Sequence, residues 1–299
     1  MNYHNPVLLH ESVDALSIKE DGVYVDVTYG GGGHSKEILR RLGKNGRLFG
    51  FDQDPDAQNN ILEDDRFVLI PENFRYISRF LRFQGVRKVD GVLADLGVSS
   101  HQFDEAERGF STRFDGDLDM RMNQKSNISA KEVVNEYSEE KIAEILFLYG
   151  ELRNSRNIAK TIVEKRQEER IDTSFQLRKV LQRFLPNAKE HKIIAQIFQA
   201  IRIEVNEELD VLKEFLEQLP NLLNEEGRLS VISYHSLEDR LVKRFFRTGL
   251  FTGEPEKDFF GNISVPLEKV GKLIVPSPQE IKLNNRARSA KLRIATLKK

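Results

Sequence analysis

Three aspartates, each closing an apolar run, are the residues of this chain best placed to do chemistry. Asp26 stands in Val23-Tyr-Val-Asp-Val-Thr28 and is followed by four consecutive glycines, Gly30 to Gly33. Asp52 ends the stretch that starts at Gly46, and Asp95 lies near the end of Val89-Asp-Gly-Val-Leu-Ala-Asp-Leu96. An acid at the end of the second strand of a doubly wound fold accepts hydrogen bonds from ribose hydroxyls. Glycine lets the backbone approach a ligand, and a helix that opens after it presents unpaired N–H groups. A flexible loop without a ligand would have the same composition. His235, after the run Gly227 to Tyr234, is a candidate base or substrate contact, or else a structural hydrogen-bonder.

The elements that must hold these residues follow from β-branched and apolar runs. Strands are predicted over Val23 to Thr28, Gly46 to Asp52, Arg66 to Ile70 and Val89 to Leu96. Helices are predicted from His34 to Leu42, Pro55 to Leu62 and Arg75 to Phe83. Ligands in open α/β sheets sit beyond the carboxyl ends of parallel strands, so Asp26, Asp52, Phe74 and Asp95 share one rim. The rhythm then stops. Residues 108–122 read as an ordered loop, and 129–203 are almost wholly helical in composition. Val205, Leu209, Leu212, Leu216, Leu219 and Leu223 form one helical stripe, with Pro220 expected to kink it. Gly227 to Tyr234 is the fifth strand, and Lys272 to Val275 with Ala290 to Ala295 make a closing antiparallel pair. This gives a Rossmann-like α/β sheet domain, residues 1–110 and 205–299, interrupted by an inserted all-helical subdomain, 111–204. The first 22 residues are either a lid over the ligand or a packing arm.

Composition removes several functions. The 299 residues include no cysteine, which excludes disulfides, thiolate metal sites and a cysteine nucleophile. The histidines have no metal-ligand spacing, and Asp52-x-Asp54-x-Asp56 fails as a calcium loop because Ala57 takes the place of its glycine. No apolar run is long enough to span a membrane, and the N-terminus lacks a signal-peptide form, so the cytoplasm is expected. The formal net charge is −1, yet residues 281–299 carry seven basic side chains and no acid. That stretch is either a solvated tail or a nucleic-acid contact.

The order acid-x-Thr-x-Gly-x-Gly, from Asp26 to Gly32, differs from the G-x-G-x-x-G of dinucleotide sites. It resembles the first motif of S-adenosylmethionine methyltransferases. Methylation at carbon 5 of a pyrimidine needs a cysteine nucleophile, which leaves oxygen or nitrogen as the acceptor. An exocyclic amine needs acceptors that hold its N–H groups and turn its lone pair toward the methyl; Asp95 stands where amino-methyltransferases put one. A nicotinamide-dependent oxidoreductase and a non-catalytic RNA-binding factor remain the rival readings at this point.

Longer strings resemble one family, the bacterial ribosomal RNA small-subunit methyltransferase H (MraW-like) family. They are His4-Asn-Pro-Val-Leu8, Asp26 to Ser35, Asp52-Gln-Asp-Pro55, Asp95 to Gln102, Arg108-Gly-Phe-Ser111, Leu118 to Met122, Phe198 to Leu209, Val231 to Arg240 and Arg286 to Arg293. The resemblance implies S-adenosyl-L-methionine as cofactor and N4 of a cytidine in the decoding region of 16S rRNA, within the small ribosomal subunit, as target. It also implies cofactor contacts at Gly32, Gly33, His34, Asp52, Phe74, Asp95 and Gln102. Asp52 would hold the ribose and Phe74 the adenine; no metal or membrane is implied. With RNA as substrate, Arg286, Arg288, Lys291 and Arg293 become expected phosphate contacts. The sequence departs from the family pattern at Asp117, Leu152 and His191-Lys192.

Overall fold

The computed structural model describes residues 6–298, so His4 and Asn5 lie outside the described residues. The chain divides into two compact units, Val98–Glu208 and the remainder on either side of it. Helices α1 (Leu9–Asp14), α2 (Gly33–Arg41) and α3 (Ile77–Phe83) belong to the flanking unit. Helices α4 (Ser100–Asp104), α5 (Ala130–Glu136), α6 (Glu139–Leu148), α7 (Ser155–Glu168), α8 (Ser174–Val180) and α9 (Glu190–Asn206) build the inserted one. The chain then continues through α10 (Glu208–Leu222), α11 (Ser236–Thr248) and α12 (Pro278–Leu283).

The flanking unit is a seven-stranded sheet of β1 (Val23–Asp26), β2 (Arg47–Phe51), β3 (Phe67–Ile70), β4 (Val89–Asp95), β5 (Leu223–Ser233), β6 (Leu267–Ile274) and β7 (Lys291–Leu297). Its spatial order is β3-β2-β1-β4-β5-β7-β6. Strands β1 to β5 pair in parallel, while β7 runs antiparallel to both β5 and β6. Side chains alternate across the sheet and fill two layers. Val25, Phe49, Phe51 and Val92 meet Ile77 and Leu81 of α3, Phe215 and Leu219 of α10, and Val242 and Phe245 of α11. On the other face Tyr24, Leu48 and Leu93 meet Val13 of α1 and Ile38 and Leu39 of α2. Helices on both faces leave the parallel strands no polar exposure, which explains their near-continuous apolar runs.

The helical unit has its own core, including Leu118, Met120, Ile158, Leu177 and Ile197. Capping boxes start three of its helices, pairing Ser99 with Gln102, Ser129 with Glu132 and Thr173 with Gln176. The loop over 108–122 is ordered by specific bonds. The Asn206 amide donates to the Met120 carbonyl at 2.7 Å and accepts the Met122 N–H at 2.8 Å. Arg108 donates to the Arg121 carbonyl at 3.0 Å.

Three expectations shift. Val98, Phe103 and Phe110 pack with the helical core, so the division falls at Gly97/Val98 rather than near 110. The stripe from Val205 to Leu223 is not one helix: Glu207, at φ +50°, ends α9, and a new helix begins at Glu208. Val205 therefore packs in the helical core, and Leu223 opens β5. The helix expected at Pro55 is a 3₁₀ segment, Pro55–Asn60, capped by Asp54. The closing antiparallel pair is present as β6 and β7.

Phe215 is fully buried and meets the Phe74 ring edge-on at 5.3 Å. Replacing it with alanine opens a cavity between α10 and the sheet. The expected loss is about 3–5 kcal/mol of unfolding free energy, measured by urea titration.

Candidate active site

The carboxyl ends of β1, β2 and β4 carry three linked acids. Asp26 is fully buried and accepts the Ser35 hydroxyl at 2.7 Å and the Thr28 N–H at 3.2 Å. Burial pushes its carboxyl above the usual range, against His34 and these donors. The Thr28 hydroxyl in turn accepts the backbone N–H of Asp95 at 2.6 Å, tying the end of β1 to the end of β4.

Asp52 organises the glycine loop from below. Its two oxygens accept N–H groups from Gly30 at 2.8 Å and Asp54 at 2.9 Å. Burial raises its carboxyl to about 6, while those two N–H groups pull it back. The Asp54 carboxylate repeats the pattern on the Asp56 N–H at 3.0 Å, so the acids two apart form successive Asx turns. Of the glycines, Gly32 is left-handed at φ +72°, and a Cβ on Gly33 would lie 2.2 Å from Pro6 Cγ. Gly30 is left-handed too, at φ +50°, so three of the four glycines are demanded by the protein's own backbone and packing.

Asp95 is held from two sides. The Tyr234 hydroxyl donates to Oδ1 at 2.7 Å, and His34 Nδ1 lies 3.9 Å from Oδ2. His34 Nε2 faces the Val7 carbonyl at 3.1 Å, which requires the ring hydrogen on that nitrogen. Burial pushes Asp95 up to about 6; His34 and Tyr234 oppose that, and Asp26 and Glu238 add to it.

Of the residues expected from sequence, Asp52, Asp95, His34, Gly32, Gly33 and Phe74 all belong to the sheet unit, at or beside the ends of its strands. Gln102 belongs to the helical unit, buried, with its side chain accepting the Ser99 N–H at 2.9 Å. His235 requires a correction. It is the N-cap of α11, its Nδ1 accepts the Glu238 N–H at 3.4 Å, and its Nε2 lies 3.2 Å from Glu238 Oε1. Nδ1 is thus taken by the cap, while Nε2 is buried beside the Glu238 carboxylate without a hydrogen bond of its own among the described residues. Tyr234 is the residue that sequence reasoning missed. Burial along β5 does not mark it, since Leu229 to Ser233 are all buried; it is the bond to Asp95 that identifies Tyr234.

The basic tail also divides. Arg293 donates to Asp239 at 2.7 Å and Lys291 at 3.1 Å, holding that carboxyl low against its burial. Arg286 and Arg288 are exposed. The phosphate role expected of Lys291 and Arg293 meets a prior partner in α11.

A parallel sheet of this order, closed by an antiparallel pair, with a glycine loop after β1 and acids at three strand ends, defines an α/β methyltransferase of class I. Three carboxylates suit a cofactor with a sulfonium cation and ribose hydroxyls, and would repel a pyrophosphate. The residues present fit S-adenosylmethionine, and that is the cofactor. The profile of the MraW methylase family matches residues 1–298, and the chain belongs to that family. A protein of Flavobacterium johnsoniae named ribosomal RNA small subunit methyltransferase H is 66% identical over 295 residues, covering 99% of this chain and 98% of its own. Proteins of that name from Flavobacterium psychrophilum and Bacteroides fragilis are 67% and 55% identical, over 97% and 99% of this chain and 100% and 98% of their own.

Ionised Asp52 accepts hydroxyl hydrogen bonds, and its protonated form offers one fewer acceptor. Cofactor affinity is therefore expected to fall as pH drops through about 6. Asp52→Ala should weaken binding by about 1–3 kcal/mol at neutral pH and flatten that pH dependence, as read by calorimetry.

Proposed function

We propose that the protein methylates the exocyclic N4 amine of a cytidine in the decoding region of 16S rRNA, in the small ribosomal subunit, in the cytoplasm. The observation that carries this reading is Asp95: a part-exposed acid at the end of β4 with Oδ1 taken by Tyr234, and Oδ2, 3.9 Å from His34 Nδ1, in a position to accept an amine N–H. S-adenosylmethionine supplies an electrophilic methyl. Asp95 holds the target amine so that its lone pair points out of the ring's conjugation. Asp52 takes the ribose, Phe74 lies against the adenine, and Gly32, Gly33 and His34 complete the part of the cofactor site that the sheet unit supplies. Thr28 fixes the backbone of Asp95, and Tyr234 fixes its carboxylate.

The names of the relatives support rRNA as the substrate class, and the absence of cysteine excludes attack through a carbon-5 adduct. The acid rim disfavours the pyrophosphate that an oxidoreductase would bind. Arg286 and Arg288 are exposed tail residues suited to meet phosphate. Nucleoside mass analysis of 16S rRNA from cells with and without the gene tests the target: loss of N4-methylated cytidine supports it, and an unchanged nucleoside profile overturns it.

Asp95→Asn keeps size and one acceptor oxygen but turns an NH₂ toward the amine, itself a donor. Turnover is expected to fall at least ~100-fold, a barrier rise of about 2.7 kcal/mol, with cofactor affinity falling much less. In the wild type, turnover should also decline as pH drops through about 6, because protonation removes the acceptor. Single-turnover methylation at saturating RNA and cofactor measures both.

A further inference from the structure

Between Glu72 and Asp90 the chain carries Arg75, Arg79, Arg82, Arg87 and Lys88 and no acid, in a protein of net charge −1. Four aromatics, Phe74, Tyr76, Phe80 and Phe83, alternate with these cations. Arg79 and Arg82, three apart on α3, share one helical face, and Arg75 lies in the 3₁₀ turn Phe74–Tyr76 just before it. Ile77 and Leu81 on the opposite face are buried in the sheet core. The solvent side is unusual for its exposed rings: Tyr76 is 43% and Phe83 73% accessible. The Arg79 guanidinium lies 5.8 Å from the Phe80 ring and 5.9 Å from the Phe83 ring. A groove of about 580 Å³ runs along this face, lined by these arginines, both exposed rings and Gln218.

Two of the five cations have structural duties. Arg75 is paired with Glu214, and Lys88 donates to the Leu223 carbonyl at 3.0 Å. Arg79, Arg82 and Arg87 are exposed and have no carboxylate partner among the described residues. An adjoining hollow is lined by Arg82 together with Glu214 and Glu217. Unpaired guanidinium groups beside exposed rings match a polyanion with unstacked bases: cations take phosphates, and rings take base faces.

The segment begins at the active rim. Phe74 lies four residues after Ile70, the last residue of β3, and α3 follows it; further along the connection Lys88 donates to the Leu223 carbonyl at the start of β5. Seven helical residues cover about 10 Å, the reach of a few nucleotides. We propose that the outer face of α3, with Arg79, Arg82 and Phe83, together with Arg87 in the connection before β4, is a docking track for RNA flanking the nucleotide that is methylated. The proposal rests on the rRNA reading above. It adds a second phosphate-binding surface, separate from the tail at Arg286 and Arg288.

The test uses the full chain with Arg79→Ala, Arg82→Ala and Arg87→Ala combined, and separately Phe83→Ala. The probe is in vitro transcribed 16S rRNA, and calorimetric cofactor affinity serves as the fold control. The triple variant should reduce the salt slope of RNA binding by about 2 log units, near 0.7 per lost contact. Its KM for 16S rRNA should rise at least 10-fold, with kcat at saturating RNA within about 2-fold of wild type. Phe83→Ala should raise KM and leave the salt slope unchanged, as loss of stacking requires. An unaltered slope and KM in the triple variant would overturn the track and return this face to solvent or to an acidic protein. If the triple variant loses cofactor binding, Arg82→Gln alone carries the test, with one contact's worth of slope expected. Wild-type protein that binds 16S rRNA without methylating it sinks the functional reading instead, and the slope comparison still decides the track.

Discussion

The bond from the Asp95 backbone N–H to the Thr28 hydroxyl is small, but the chemistry depends on it. It joins the end of β1 to the end of β4 at the point where three carboxylates converge. Burying carboxylates without a paired cation is costly, and the structure meets the cost with donors: Ser35 and Thr28 on Asp26, Gly30 and Asp54 on Asp52, Tyr234 on Asp95. The compensation is incomplete. Asp52 and Asp95 both stand near 6, above an ordinary 3.8, which is roughly 3 kcal/mol against each ionised form. Because the folded state holds these protons more tightly than the unfolded chain, the ligand-free protein loses stability as pH rises from about 4 to about 6. A cationic cofactor on the rim relieves the same repulsion. Affinity for a sulfonium and local frustration are thus one property seen from two sides.

The rim was legible in the sequence because its determinants are local. Each acid closes a strand that its own apolar residues specify, and parallel topology places all strand ends together. Tyr234 was not legible from composition, since its bond to Asp95 joins positions 139 apart. Histidine is the commoner base by residue type, which favours the neighbouring His235, but it is the Tyr234 hydroxyl that reaches Asp95. His235 instead starts α11, and the carboxylate of Glu238 accepts the N–H groups of Tyr234 and His235 at 2.8 and 3.2 Å. The capping box that ends β5 therefore also sets the backbone from which the Tyr234 ring reaches Asp95.

Charge runs are where sequence reading is weakest, because a run does not reveal its partners. The tail from Ile281 onward reads as uniformly free cation, but β7 points Lys291 and Arg293 at Asp239 of α11. The Glu207 break is similar in kind. An apolar stripe at three-four spacing runs straight through it, and only a left-handed backbone at that residue separates two helices with different cores.

Segregation of charge bears on how an anionic substrate meets this site. The rim is lined by carboxylates that repel phosphate, while exposed arginines lie along α3 and at Arg286 and Arg288. On the proposed reading, a polynucleotide backbone would be held where the arginines are and kept off the acids. Only an uncharged part of the chain could approach Asp95 without that penalty, and a base turned out of its stack is such a part. The acids that favour the cofactor cation would then also select for an extruded nucleobase over the backbone that carries it.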